Sequence, residues 1–331
     1  MTDIFGKLSD GRAIHAVTIT DGTLSATILT LGAILNDVRL TGVDHSLTIG
    51  SPTLAAYDNG PLKQFGALVG PVANRIAGAT APLDGETLHF PANEGTTCLH
   101  SGVAGLHSEV WEIGAQTPQS VTLTCDLPDG KDGFPGNRSI TATFSIRAPA
   151  TLHMEITATT DRTTLMNIAN HSYWRLDPAK TTDGHKLQLS ANRYLPVDTR
   201  LIPLEITPVD GTAFDFRDAR IISPSDAQRL DHCFCLSDGS EPLRPVATLT
   251  GQSGLTLEMS TTEPGLQVFD AAPMGSGAFE GHEGWVETGF CGVALEAQHW
   301  PDAPNRPEFP SVRLGAGDTY HQHTSWRFFR D

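Results

Sequence analysis

Positive charge is scarce in this sequence. Its 22 lysines and arginines face 38 aspartates and glutamates, a formal net charge of −16 at neutral pH with histidine uncharged. Nucleic acids and anionic lipid surfaces both demand a basic face, so neither is an expected partner. No dense arginine or lysine cluster stands ready for a phosphorylated ligand. Long apolar runs are missing as well, since nothing approaches the roughly 18 apolar residues that span a bilayer. The opening MTDIFGKLSDGRAIH has neither the basic start nor the apolar stretch of a secretory signal. The expectation is a soluble, cytoplasmic protein without membrane association.

Cysteines are few, odd in number and scattered, at 98, 125, 233, 235 and 291. That pattern suits reduced thiols and excludes a disulfide framework. Cys233 and Cys235 flank one phenylalanine beside His232, and alternation along a strand would put both on one face. They read either as metal ligands or as two small buried hydrophobes, and the usual metal-ligand spacings are absent. No metal is expected. Helical periodicity is nearly absent too, residues 52–57 and 224–229 being the best short candidates.

What is present is alternation. Val17 and Ile19, an Asp21-Gly22 turn, then Leu24, Ala26 and Ile28 read as a hairpin. Leu83-Asp84-Gly85 leads into Leu88 and Phe90 in the same way. Ile140, Ala142, Phe144 and Ile146 alternate up to Pro149, and Leu152, Met154, Ile156 and Ala158 continue beyond it. Leu255, Leu257 and Met259 mark a further strand. With 32 glycines and 22 prolines, the pattern predicts many short strands in one all-β antiparallel sandwich, a single domain over residues 1–331. Loops at 128–136, 272–284 and 301–310 read as surface or active-site loops.

Residue types suited to acid–base work sit at the ends of apolar strands. Glu296 lies in the uncharged run Val293-Ala294-Leu295-Glu296-Ala297-Gln298, on the face of Ala294 and Gln298. A carboxylate there is costly unless it has a purpose or a partner. It is either a pocket-facing general base or half of a buried salt bridge to Arg75. Arg75, preceded by Asn74 and bracketed by Ala73 and Ile76, either grips hydroxyls in a cleft or pairs with a structural carboxylate. His100 precedes Ser101-Gly102, and His171 lies amid Asn170, Ser172, Tyr173 and Trp174. Each reads as a catalyst or as a hydrogen-bonded core histidine. Asp231 enters an apolar strand, where a turn or cap is its alternative role, and Gln267 is an amide among apolar neighbours that must find partners. His321-Gln322-His323 offers only two ligands on one face. Asp215, Arg217, Asp218 and Arg220 read as charged surface. No Gly-x-Ser-x-Gly elbow supports a serine hydrolase.

Taken in order, these segments resemble the aldose 1-epimerase (galactose mutarotase) family. The likeness covers nearly the whole chain: Leu29-Thr30-Leu31-Gly32-Ala33, residues 70–78, 99–105 with Trp111, 170–174, 207–212, 230–234, 261–269 and 295–305, and the closing Phe309-Pro310-Ser311 and Gly317-Asp318-Thr319-Tyr320. The resemblance implies a large antiparallel β-sandwich with few short helices. It also implies an isomerase that interconverts the anomers of a small-molecule free sugar without a cofactor. On matching positions, Glu296 takes the general base, His171 the general acid and His100 the second active-site histidine near the ring oxygen. Asn74, Arg75, Asp231 and Gln267 take the positions that hold sugar hydroxyls. Residues 171 and 296 are then expected to meet at one sugar ring. For His171 to act as an acid it must carry charge, which Asp231 and Glu296 are expected to favour. The loops at 106–109 and 269–272 depart from the family's wording and are expected to shape the pocket around the distal hydroxyls. The alternatives are a hexose-6-phosphate epimerase of the same superfamily, a non-catalytic carbohydrate-binding module, and a metal enzyme using His321 and His323. The preferred sugar and the choice between monomer and homodimer stay open.

Overall fold

The computed structural model describes residues 1–58, 60–272 and 279–330. Among the described residues, every pairing between named strands is antiparallel. Helical structure among these residues is confined to short 3-10 turns, and no helix among them is long and apolar enough to cross a membrane.

The anticipated hairpins form. Ala13–Thr20 pairs with Leu24–Leu29, and Asp21 Oδ1 accepts the backbone N–H groups of Thr23 and Leu24 to close the turn. Thr80–Leu83 pairs with Glu86–His89 across Asp84 and Gly85, both at positive φ, as a two-residue hairpin turn of the primed type requires. Arg138–Arg147 pairs with Thr151–Thr160. Of the helix candidates, 52–57 keeps only a 3-10 turn at Leu54–Ala56, and 224–229 is a turn and not a helix. Local side chains compete there for the backbone: Asp226 accepts the Ser223 N–H, and the Arg229 guanidinium donates to the Ser223 and Asp226 carbonyls.

Three larger sheets share one core. The four-stranded sheet carries the N-terminal hairpins, and the nine-stranded sheet runs from Glu112–Thr117 through Thr319–Arg330 to Arg220–Ile221. The six-stranded sheet holds, in order, Tyr173–Trp174, Val293–Gln298, Gly265–Phe269, Asp231–Cys235, Arg193–Leu195 and Thr207–Pro208. Val17, Ile28, Phe144, Ile156, Leu266, Val268, Val293 and Leu295 all belong to the main apolar cluster. Because side chains alternate, Gln267 and Glu296 are turned to the other face of the six-stranded sheet. There they stand directly opposite each other in register.

A glycine fixes the loop that receives His171. Gly66 donates to the His171 carbonyl, and the His171 N–H donates to Ala67. Gly66 has φ +69°, and an added Cβ would lie 2.4 Å from the Leu35 carbonyl oxygen. Gly66→Ala is therefore expected to lower stability by about 1–3 kcal/mol from backbone strain alone. A thermal denaturation midpoint equal to that of the parent protein would contradict this account.

Candidate active site

Seven residues drawn from six stretches of chain meet in one open cavity. Its walls are Gln64, Asn74, Arg75, Leu99, His100, His171, Tyr173, Asp231, Gln267, Phe269 and Glu296. All seven residues singled out from the sequence are among them.

The six-stranded sheet supplies Glu296, Gln267 and Asp231. Gln267 faces Cys233 across the next strand pair, which places Asp231 on its diagonal, and the Gln267 amide donates to Asp231 Oδ1 at 2.6 Å. Two neighbouring segments complete the walls. Arg75–Ile76 pairs with Cys98–Leu99, bringing Asn74 beside His100. Asn74, His100 and Ser101 all have positive φ, at 61°, 49° and 64°. Such strain collects at functional sites and persists only where the surroundings enforce it. Here the enforcement is reciprocal: the Asn74 N–H donates to His100 Nδ1, the His100 N–H donates to the Asn74 carbonyl, and the Ser101 hydroxyl bridges the Val72 N–H and carbonyl. The 301–310 loop supports the same segment, since Asp302 donates its N–H to Arg75 and accepts the Ala77 N–H.

His171 Nε2 lies 3.6 Å from Glu296 Oε2, both side chains nearly sealed from solvent. Glu296 Oε2 is buried with no hydrogen-bond partner. Burial, then the nearby Asp231 carboxylate, pushes the Glu296 carboxyl well above its usual range, against the pull of Arg75. Burial brings the His171 imidazole down to about 4. Against the expectation that carboxylates hold His171 charged, desolvation is the dominant influence on the ring and favours its neutral form. Across neutral pH the pair shares one titratable proton. Its neutral form (glutamic acid with imidazole) and its ionic form (carboxylate with imidazolium) differ only in where that proton sits. The His171 ring stacks on Tyr173, which stacks in turn on Phe65.

His100 is held in one tautomer. Its Nδ1 accepts the Asn74 N–H at 3.1 Å, so the neutral ring carries its proton on Nε2. Burial keeps the ring well below its ordinary pKa, and His171, His107 and Arg75 add to that effect. On distance alone His100, His171 and Glu296 could hold a metal ion, their ligand atoms lying within 4.8 Å of one another. The tautomer opposes it, because one His100 nitrogen is engaged and the other carries a proton. Cys233 and Cys235 lie buried beside Trp300 and Leu195, while His232 packs on Phe214 with ring centroids 4.3 Å apart. They do not form a ligand cluster among the described residues. His323 instead meets His153, nitrogen to nitrogen at 3.0 Å, on the nine-stranded sheet, apart from the cavity walls.

The salt bridge between Arg75 and Glu296 does not form. Arg75 pairs with Glu94, Nε donating at 2.6 Å and Nη2 at 3.0 Å. The 106–109 loop is also a correction, since His107 and Ser108 line a separate cavity with Tyr57 and Lys63. Phe269 does reach the pocket wall, Asp270 secures the Leu230 N–H, and residues 273–278 of the 272–284 loop lie outside the described residues. Sequence reasoning missed Glu94, Gln64 and Tyr173. Only Tyr173 carried a signal, because it shares strand parity with His171.

An aldose 1-epimerase family model matches residues 15–327. The chain is 34% identical to a galactose mutarotase of Rattus norvegicus, over 98% of this chain and 96% of the relative. It is 31% identical to an aldose 1-epimerase of Escherichia coli (strain K12), over 97% of each. The crystal structure of an aldose epimerase homologue from C. elegans superposes with a TM-score of 0.88 at 29% identity, covering 95% of this chain and 98% of that one. Sequence, architecture and the composition of the cavity agree: the chain belongs to the aldose 1-epimerase family.

Proposed function

We propose that this chain is an aldose 1-epimerase, interconverting the α and β anomers of a free aldose, with Glu296 and His171 as its acid–base pair. The observation that carries this reading is the 3.6 Å approach of His171 Nε2 to an unpartnered Glu296 oxygen in the wall of one cavity. The two oxygens on an anomeric carbon are separated by that single atom. A base and an acid set side by side can therefore each reach one of them.

In the ionic form of the pair, Glu296 takes the proton of the anomeric hydroxyl while the His171 imidazolium gives its proton to the ring oxygen. The C1–O5 bond breaks, leaving an open-chain aldehyde, a free C5 hydroxyl and the neutral form of the pair. Rotation about C1–C2 presents the other carbonyl face. On closure His171 removes the C5 hydroxyl proton, that oxygen attacks C1, and Glu296 protonates the former carbonyl. The pair ends as it began, and no proton is exchanged with bulk water. His100 supplies a fixed Nε2–H donor toward the ring oxygen. Asn74, Arg75, Asp231 and Gln267 hold the remaining hydroxyls, with Asp231 and Gln267 already oriented by their mutual hydrogen bond. A reducing, cytoplasmic setting fits the five buried cysteines, none of them in a disulfide.

Polarimetry on a panel of freshly dissolved aldoses tests the reading, and accelerated loss of optical rotation is the expected result. The pH profile of kcat/KM follows from the two shifts. Below about 4, where His171 titrates, the pair gains a second proton and lacks a base. Above the raised Glu296 value it loses its shared proton and lacks an acid. Activity should hold across the interval between. An acid limb near 6.5, the ordinary histidine value, would contradict the assignment of His171.

A further inference from the structure

Among the described residues that wall the pocket, Arg75 is the one lysine or arginine. A guanidinium with an open fork is a bidentate receptor for carboxylate or phosphate. Here one edge of the guanidinium is already engaged, and its charge matched, from within the chain. Glu94 accepts from Nε and Nη2 at 2.6 and 3.0 Å, Arg75 buried and Glu94 40% exposed.

Glu94 also looks the other way. With Thr96, Thr97, Thr199, Arg200 and Leu201 it lines an open groove, so its carboxylate stands between pocket and groove. Arg200, the groove's own cation, is engaged by Asp198 through Nε and Nη2. Each cation at this end of the site is matched by a carboxylate of the protein. The Asp231 carboxyl, paired with a neutral amide, has no cation bonded to it among the described residues.

We propose that Glu94 is a specificity-determining residue: by matching the Arg75 charge along its Nε–Nη2 edge it leaves that guanidinium able to hold hydroxyls but weak as a receptor for anionic sugars, and so favours neutral aldoses. Uronic acids and hexose phosphates carry their charge at the end of the sugar remote from C1. Such a charge brought to this wall faces a guanidinium already matched by Glu94, and the Asp231 carboxyl beside it, in place of an unpaired cation. The inference rests on the anomer-exchange reading of the site and adds to it a class of sugar refused.

Glu94→Gln tests it, because the amide oxygen can still accept one Arg75 N–H while the negative charge is gone. The kcat/KM for glucuronate or galacturonate, relative to the parent aldose, is expected to rise roughly tenfold over the parent enzyme. The gain should appear in KM, since C1 chemistry is untouched. Glu94→Asp keeps the charge and should keep the parent's preference. A measurement needing no variant is uronate inhibition of neutral-sugar turnover by the parent enzyme, expected to require a concentration roughly tenfold above the aldose KM. An unchanged ratio in Glu94→Gln, or uronate binding as tight as the neutral sugar in the parent, overturns the inference while the anomerase reading stands. A parent enzyme that leaves every aldose at its spontaneous rate overturns both.

Discussion

Glu296→Gln should reduce anomerisation by about 10²–10⁴-fold, the usual contribution of a positioned acid–base group, while leaving the protein folded and able to bind sugar. Glutamine matches glutamate in volume and keeps an acceptor opposite Gln267, but it cannot take a proton from the anomeric hydroxyl. Stability should not suffer. Burial raises the Glu296 carboxyl well above its ordinary range, so a neutral side chain in that place removes a desolvation burden. The combination is diagnostic: turnover lost, melting temperature held or raised, sugar affinity retained by titration calorimetry. Near-parental turnover would take Glu296 out of the mechanism. A collapse in stability would make it a structural carboxylate instead.

Arg175→Met should be the most damaging substitution for stability, at about 3–5 kcal/mol. Arg175 follows Trp174 at the end of its strand and grips Glu287 through two hydrogen bonds of 2.7 and 2.8 Å, with both side chains 1% exposed. Glu287 also accepts the Trp285 indole N–H, and the guanidinium lies 5.3 Å from the Trp285 ring centroid. Removing the cation leaves a sealed carboxylate with only the indole to answer it. Changing Glu287 to Met in the same chain should recover part of the loss, because two apolar side chains then face each other while Glu283, 3.5 Å from the guanidinium, still loses its cation. Chemical denaturation of the single and double variants decides it, and a loss below about 1 kcal/mol for Arg175→Met would show the pair to be weakly coupled. The damage should reach the site as well. The hairpin bearing Glu287 also bears Phe279, whose ring meets Phe65, and Phe65 stacks beneath Tyr173 and His171.

Strand parity explains what the sequence could disclose. Glu296 stands out because its neighbours are uncharged and alternate, so the pattern alone assigns its face. The hairpins at Asp21-Gly22 and Asp84-Gly85 are equally plain, because turn chemistry and alternation agree. Glu94 gives no such signal. It lies in a loop without periodicity, 19 residues beyond the arginine it pairs with, and only the folded chain brings the two together. The protonation of His171 escapes the sequence for a related reason: nearby carboxylates can be guessed from residue types, but full burial of the imidazole, the largest influence on it, cannot. The short helix expected at 224–229 does not form because Ser223 and Asp226 satisfy the backbone by a route that propensity does not weigh.

The pairing of Gln267 with Glu296, and of Tyr173 with Ala294, bears on how such a chain can drift over generations. Insertions in the connections between those strands leave the odd–even order intact, so their lengths are free to diversify. A single residue gained or lost within 293–298 would swing Glu296 into the oily interior and deliver Leu295 to the sugar. Selection can therefore remodel the rim almost at will, while the count of residues along three short strands is held fixed.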